Sequence, residues 1–188
     1  IGGAATLSAY VQRERAGNPN GTVFVTAGDN VGASPPESTL LRHQSSIAVL
    51  DAMGVDISTF GNHEFDGGYA EAIRLIFGDG AFAEAKQAQG LPSKRKKGAS
   101  AGIDAKAGAK HAAAARGKTA WPGSPFPWMC ANVVDTKTGK PILPPYVIKE
   151  VNGVKVAFIG AVTKDLKEVT VAKGIPNIKA LDVADTVN

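Results

Sequence analysis

Two short loops hold most of the chemistry-bearing side chains of this chain: Gly28-Asp29-Asn30-Val31-Gly32 and Gly61-Asn62-His63-Glu64-Phe65-Asp66. Asp29 offers a carboxylate whose two oxygens can bridge two cations. Asn62 offers a neutral carbonyl oxygen, which leaves a bound cation more electrophilic than a second carboxylate would. His63 titrates near neutral pH and can serve as acid, base or hydrogen-bond donor. Asp66, three residues on, can curl back and fix the imidazole through its other nitrogen. Glycines in both loops allow unusual backbone angles close to a ligand. Each feature also has an ordinary structural reading. Gly-Asp after a strand is common turn chemistry, and so is an Asn-His pair. Glu64 reads as a side chain facing water, and Asp66 as the N-cap of the following helix, a role compatible with catalysis.

The elements around the loops favour the chemical reading. Residues 3–16 have Leu7, Tyr10, Val11 and Glu14 at helical spacing, with Gly17 as a stop. Thr22–Ala27 is a short β-branched run bounded by Gly21 and Gly28, the pattern of a buried strand. Residues 37–53 predict one helix with Leu40, Ile47, Leu50 and Met53 as apolar positions, ended by Gly54; Val55–Phe60 predicts a second strand. Tyr69, Ala72, Ile73, Ile76 and Phe77 then form the face of an amphipathic helix. Strand, helix and strand make a crossover unit, so the two strands should be parallel. Both loops then open on one edge of the sheet, where open α/β folds bind ligands.

Length and composition bound the rest. The 188 residues suit one ordinary domain, and the apolar share of 44% against 20% charged suits a soluble globular one. No apolar run is long enough to span a membrane, and no basic start with an apolar core reads as a signal peptide. The single cysteine, Cys130, excludes an internal disulfide framework and a multi-cysteine zinc site. The net charge of +4 is unevenly spread: Lys94–Lys118 contributes +7 and the remainder carries −3. Residues 98–118 contain nine Ala and four Gly, so this stretch can bury almost nothing. It reads as a solvent-facing basic insertion at about residues 79–126. Without interleaved aromatic residues it does not resemble a nucleic-acid surface, and nucleic acid is not the expected partner.

Order returns at Trp128–Val133, a predicted buried strand, with Trp121 and Trp128 read as packing residues flanking a Pro-rich turn. Tyr146–Val151 and Val154–Val162 flank Asn152-Gly153, the strongest hairpin signal in the chain. Leu181–Asp185 resembles a helix start with Asp182 as N-cap, and only six residues follow Asp182. The chain therefore reads as a piece of something longer.

Gly28-Asp29 followed at a distance by Gly61-Asn62-His63-Glu64 resembles the calcineurin-like metallophosphoesterase pattern. The string Gly61–Asp66, Ala131-Asn132-Val133 before a Thr-Gly-Lys turn, and the stretch from Pro144-Pro145-Tyr146 to Ile159-Gly160 narrow the resemblance to the bacterial 5′-nucleotidase family. It covers nearly the whole chain except about residues 79–126. The resemblance implies a four-layer α-β-β-α sandwich, incomplete in this chain, with a centre of two divalent metal ions (zinc, manganese, cobalt or similar). It makes Asp29 the bridging carboxylate and Asn62 a ligand of one ion. His63 would contact the phosphate oxygens and stabilise charge at the leaving group, oriented by Asp66. Asn132 would have a supporting or structural role. Two cations roughly 3.5–4 Å apart would activate a water and hold an in-line displacement. The implied substrate is a nucleoside 5′-monophosphate or related nucleotide, and the implied location is the periplasm, the cell surface or the medium.

The departures are as specific as the match. The family's Asp-x-His before the first loop and its later Gly-His and Gly-His-x-His motifs are absent from these residues. His43, read as a helix-surface residue, and His111, in the Ala/Gly insertion, do not replace them. A chain with so few ligands is expected to be nearly inactive alone. A 2′,3′-cyclic nucleotide phosphodiesterase and a nucleotide-sugar hydrolase share the same loops. A non-catalytic binding or surface module with a lost metal centre is the alternative from a different class.

Overall fold

The computed structural model describes residues 3–81, 119–170 and 174–188. Its centre is a parallel sheet of β1 (Val25–Thr26), β2 (Ile57–Thr59) and β3 (Trp128–Met129), with β2 in the middle. Val25 lies opposite Ile57, and Ser58 opposite Trp128. All of β2 is buried, as its place between two strands requires. The mixed α/β class and the parallel pairing of the first two strands agree with the sequence reading. The strands are shorter than the apolar runs that announce them.

Helix α1 (Gly3–Gly17) forms where the periodicity places it, yet none of its residues is fully buried, and Leu7 and Tyr10 are exposed. It is tied down by charge instead. The Arg15 guanidinium bonds the Asp56 carboxylate at 2.7 Å, and Lys149 reaches the other Asp56 oxygen.

The helix expected over 37–53 is two helices, α2 (Pro36–Leu40) and α3 (Gln44–Met53). Arg42 and His43 both adopt positive φ, 51° and 60°, and break the run. The break has a tertiary cause. It turns the Arg42 carbonyl toward Arg74 of α4 (Tyr69–Phe77), whose fully buried guanidinium donates to it at 2.7 Å. Arg74 also bonds Glu71 at 2.7 Å, and a buried cation must be surrounded in this way. His43 thus sits at a helix break rather than on a helix surface, and its Nδ1 is buried.

The single strand expected over Trp128–Val133 is also divided. After β3 the chain leaves the parallel sheet and re-forms as β4 (Val133–Asp135), antiparallel to β7 (Ile178–Ala180). Between them the amides of Cys130 and Ala131 donate to the carbonyls of Pro144 and Gly160. Strands β5 (Tyr146–Val151) and β6 (Val154–Ile159) form the predicted hairpin, with Asn152 at φ 51° and Gly153 at φ 80°. Two consecutive positive φ values suit the tight turn that Asn-Gly favours. Helix α5 (Val183–Val187) is capped by Asp182, whose carboxylate accepts from the Ala184 amide at 2.9 Å.

Phe60, Phe65, Trp121, Trp128, Leu166 and Ile175 lie in one core. Trp121, within the stretch expected to be insertion, is buried and donates its indole N–H to the Leu75 carbonyl. The amide of Asp79 bonds the Trp121 carbonyl at 2.9 Å, and the Asp79 carboxylate accepts the Trp121 amide at 2.7 Å. The basic run Lys94–Lys118, with His111, lies outside the described residues. Among the described residues no helix is long and apolar enough to cross a membrane.

Candidate active site at the rim of the parallel sheet

The loop Gly28–Gly32 leaves β1 and the loop Gly61–Asp66 leaves β2, so parallel pairing brings both to one rim. They meet there in direct contact. The Asp29 Oδ1 accepts the His63 amide at 3.0 Å, so the Asp29 carboxylate lies across the backbone of the second loop, beside Asn62. Asp29 is exposed and held at φ 53°, an uncommon conformation for a residue with a side chain.

Residues His63–Phe65 wind into one turn of 3₁₀ helix with Asn62 at its N-terminus. That turn carries Asp66 back over His63, and its Oδ2 lies 2.8 Å from the imidazole Nδ1. A carboxylate only accepts, so Nδ1 carries the proton and Nε2 is the atom free to face a ligand. The hydrogen bond that the ring donates to Asp66 is the main reason the imidazole pKa lies above its ordinary value of 6.5; the charges of Asp66, Asp29 and Glu64 add to it. The structure thus brings Asp29, Asn62, His63 and Asp66 to one place.

Asp66 does not cap the following helix. The N-cap of α4 is Gly68, at φ 85°, and no side chain caps that end. The two-glycine step of Gly67 and Gly68 separates the turn from the helix, which frees the Asp66 carboxylate for His63.

Asn132 stands apart from this rim group and is completely buried. Its side chain donates to the carbonyls of Val162 (2.7 Å) and Leu181 (3.0 Å) and accepts the Val162 amide (2.9 Å). It closes the polar groups where the chain leaves β3 and starts β4.

Comparison with known proteins gives relatives and a shared fold. No family model matches the chain. It is 33% identical over 181 residues to Endonuclease YhcR of Bacillus subtilis, covering 96% of this chain and 12% of that protein. It is 32% identical to Cell wall protein Lmo0130 of Listeria monocytogenes, covering 100% of this chain and 22% of the relative. It is 25% identical over 149 residues to a 5′-nucleotidase of Vibrio cholerae, covering 79% of this chain and 19% of the relative. Among solved structures, the 5′-nucleotidase precursor from Thermus thermophilus superposes with a TM-score of 0.62 at 20% identity, covering 100% of this chain and 28% of that one. The calcineurin-like phosphoesterase YfkN from Bacillus subtilis superposes with a TM-score of 0.58 at 21% identity, covering 96% and 46%. Over most of its length the chain is similar to proteins named 5′-nucleotidase, and it shares its fold with solved 5′-nucleotidase and calcineurin-like phosphoesterase structures. It spans less than a quarter of the length of the three relatives.

The rim group fits part of a divalent-metal site. Among the described residues, Asp29 Oδ2 and the Asn62 side-chain oxygen accept no hydrogen bond, while the Asn62 amide N–H points to the Val169 carbonyl at 3.4 Å. Free carboxylate and amide oxygens are suitable donors for divalent ions. No group of three or more His, Cys, Asp or Glu that could hold a metal ion converges among the described residues.

Glu64, read from sequence as facing water, is instead buried, with 3% of its surface exposed. Its Oε2 accepts the amides of Asp29 (2.9 Å) and Gly61 (2.6 Å), and its Oε1 accepts the amide of Asn30 (2.7 Å). Burial pushes its pKa above the ordinary 4.5, and the three amides oppose that push. Two of the donors, Asp29 and Asn30, belong to a loop more than thirty residues upstream. No local signal could have found them.

Proposed function

We propose that the protein carrying this chain hydrolyses phosphate esters of nucleotides, with nucleoside 5′-monophosphates as the first substrate class. The observation that carries this reading is the meeting of the Asp29 carboxylate, Asn62 and the His63–Asp66 pair at one rim of the parallel sheet. Asp29 and Asn62 would hold divalent ions, which supply charge to polarise a phosphoryl group and acidify a water. The chain's own residues do the rest. Asp66 keeps a proton on Nδ1 and favours the charged ring, so Nε2 donates to a phosphoryl oxygen and offsets the charge that develops there. The Listeria relative's name supports a location at the cell surface.

A second reading is phosphodiester cleavage, favoured by the name of the Bacillus relative, an endonuclease at 33% identity. Phosphate release from AMP, against cleavage of 2′,3′-cyclic AMP, a nucleotide sugar and single-stranded DNA, separates the two when measured with added Mn²⁺ on the purified protein. We expect AMP turnover that a chelator abolishes. His63→Ala should lower kcat by about 10²–10³-fold, the usual loss for one donor to a developing oxyanion. Asp66→Asn should lower it less, and Asp29→Asn should weaken Mn²⁺ binding as well. Turnover of none of the four substrates would overturn the hydrolase reading.

A further inference from the structure

We infer that Glu64 is a positioning residue: it fixes the Asp29 carboxylate for metal binding by clamping the backbones of both loops. It need not touch substrate. The clamp uses both carboxylate oxygens, each with two donors. Oε2 takes the Asp29 and Gly61 amides, one from each loop, and Oε1 takes the Asn30 amide and, at 3.4 Å, the Asn30 side chain. Four donors and a burial of this depth require a side chain that only accepts. The Asp29 amide is thereby held where its residue must keep φ at 53°, and that backbone angle aims the carboxylate across the second loop toward the His63 amide. The clamp is itself anchored to the sheet. The Asn30 side chain also donates to Ser58 of β2 at 3.1 Å, and Ser58 pairs with Thr26 of β1 at 2.7 Å.

Two substitutions follow from this geometry. Glutamine turns an NH₂ toward one pair of donors whichever way it lies, so Glu64→Gln leaves either Asp29 and Gly61 or Asn30 without an acceptor. Glu64→Asp keeps both acceptor oxygens but is one methylene too short to reach both loops.

The inference rests on the hydrolase reading only for its kinetic arm, so the decisive measurements avoid turnover. In the wild-type purified protein, hydrogen exchange at the Asp29, Asn30 and Gly61 amides should be protected, although their loops lie at the surface. Exchange at unprotected rates would overturn the inference with no variant needed. Glu64→Gln should lose that protection and bind Mn²⁺ roughly 10- to 100-fold more weakly, as removal of a group supporting a metal ligand does. Glu64→Asp should recover part of the affinity. In an Asp29→Ala background the Glu64→Gln change should cost no further Mn²⁺ affinity, because its effect passes through Asp29. Additive losses would show a merely structural role and overturn the inference. Absence of turnover in the wild type, with these binding and exchange results intact, would sink the hydrolase reading and leave the clamp standing.

Discussion

A β-carbon built on Gly28 would stand 2.1 Å from the amide nitrogen of Gly61. The two glycines are the points at which the site's loops touch, main chain against main chain. Gly61 in turn lies under Asp29, whose Oδ1 would be 2.2 Å from a β-carbon there. Glycine is required at both positions by space, and at Gly28 also by a φ of 90°. The approach explains how two side chains more than thirty positions apart come to share one rim of the sheet.

Gly28→Ala should therefore separate the loops. The clash is with backbone, which cannot swing aside, and the positive φ adds strain of about 1–3 kcal/mol. We expect a loss of about 2 kcal/mol or more in urea melts, with kcat falling further than stability alone explains. Gly139→Ala is the control: it has a φ of 69° but nothing within 4 Å of an added β-carbon. It should cost about 1 kcal/mol and leave turnover unchanged. Equal effects of the two substitutions on turnover would refute the contact argument.

Much of the site was legible because its residues are contiguous in two short strings and each string follows an apolar run. Parallel pairing of those runs then sufficed to place Asp29, Asn62, His63 and Asp66 together. What sequence did not reveal depends on distant partners. The helix break at Arg42 and His43 answers a buried guanidinium, Arg74, thirty-two residues away from the carbonyl it binds. The division of the strand at Asn132 answers Val162 and Leu181, 30 and 49 residues on. Glu64 read as a side chain facing water because a loop carboxylate is ordinarily solvated, whereas its environment is set by the Gly61 amide and by two amides from the distant loop. The capping role expected of Asp66 failed for a local reason: Gly67 and Gly68 intervene before the helix begins.

Asn132 should matter to stability rather than to chemistry. Replacing it with alanine strands the buried amide and carbonyl of Val162 and the half-buried carbonyl of Leu181. Each unsatisfied group costs about 1–3 kcal/mol, so Asn132→Ala should lower stability by about 3 kcal/mol or more. The urea midpoint should fall with an unchanged slope. Turnover per folded molecule should stay within about twofold of wild type, since the residue touches none of the rim group. A large loss of turnover at unchanged stability would instead place Asn132 in the reacting machinery.

Asp56 should make the fold acid-sensitive. Burial alone would raise its carboxyl pKa. The Lys149 ammonium, the Phe24 amide and the Arg15 guanidinium outweigh burial and hold it below the ordinary 3.8. A carboxyl whose pKa is lower in the folded chain contributes stability above the unfolded value and loses it as pH falls through the folded one. The contribution should therefore be whole near neutrality and disappear below about 3.8. Because Asp56 joins α1 to β5 through Arg15 and Lys149, its protonation should loosen α1 first. Urea midpoints of wild type and Asp56→Asn, compared from about pH 6 down to about pH 3, should converge on acidification. A difference between them that stays constant across that range would show that the Asp56 charge contributes nothing to the fold.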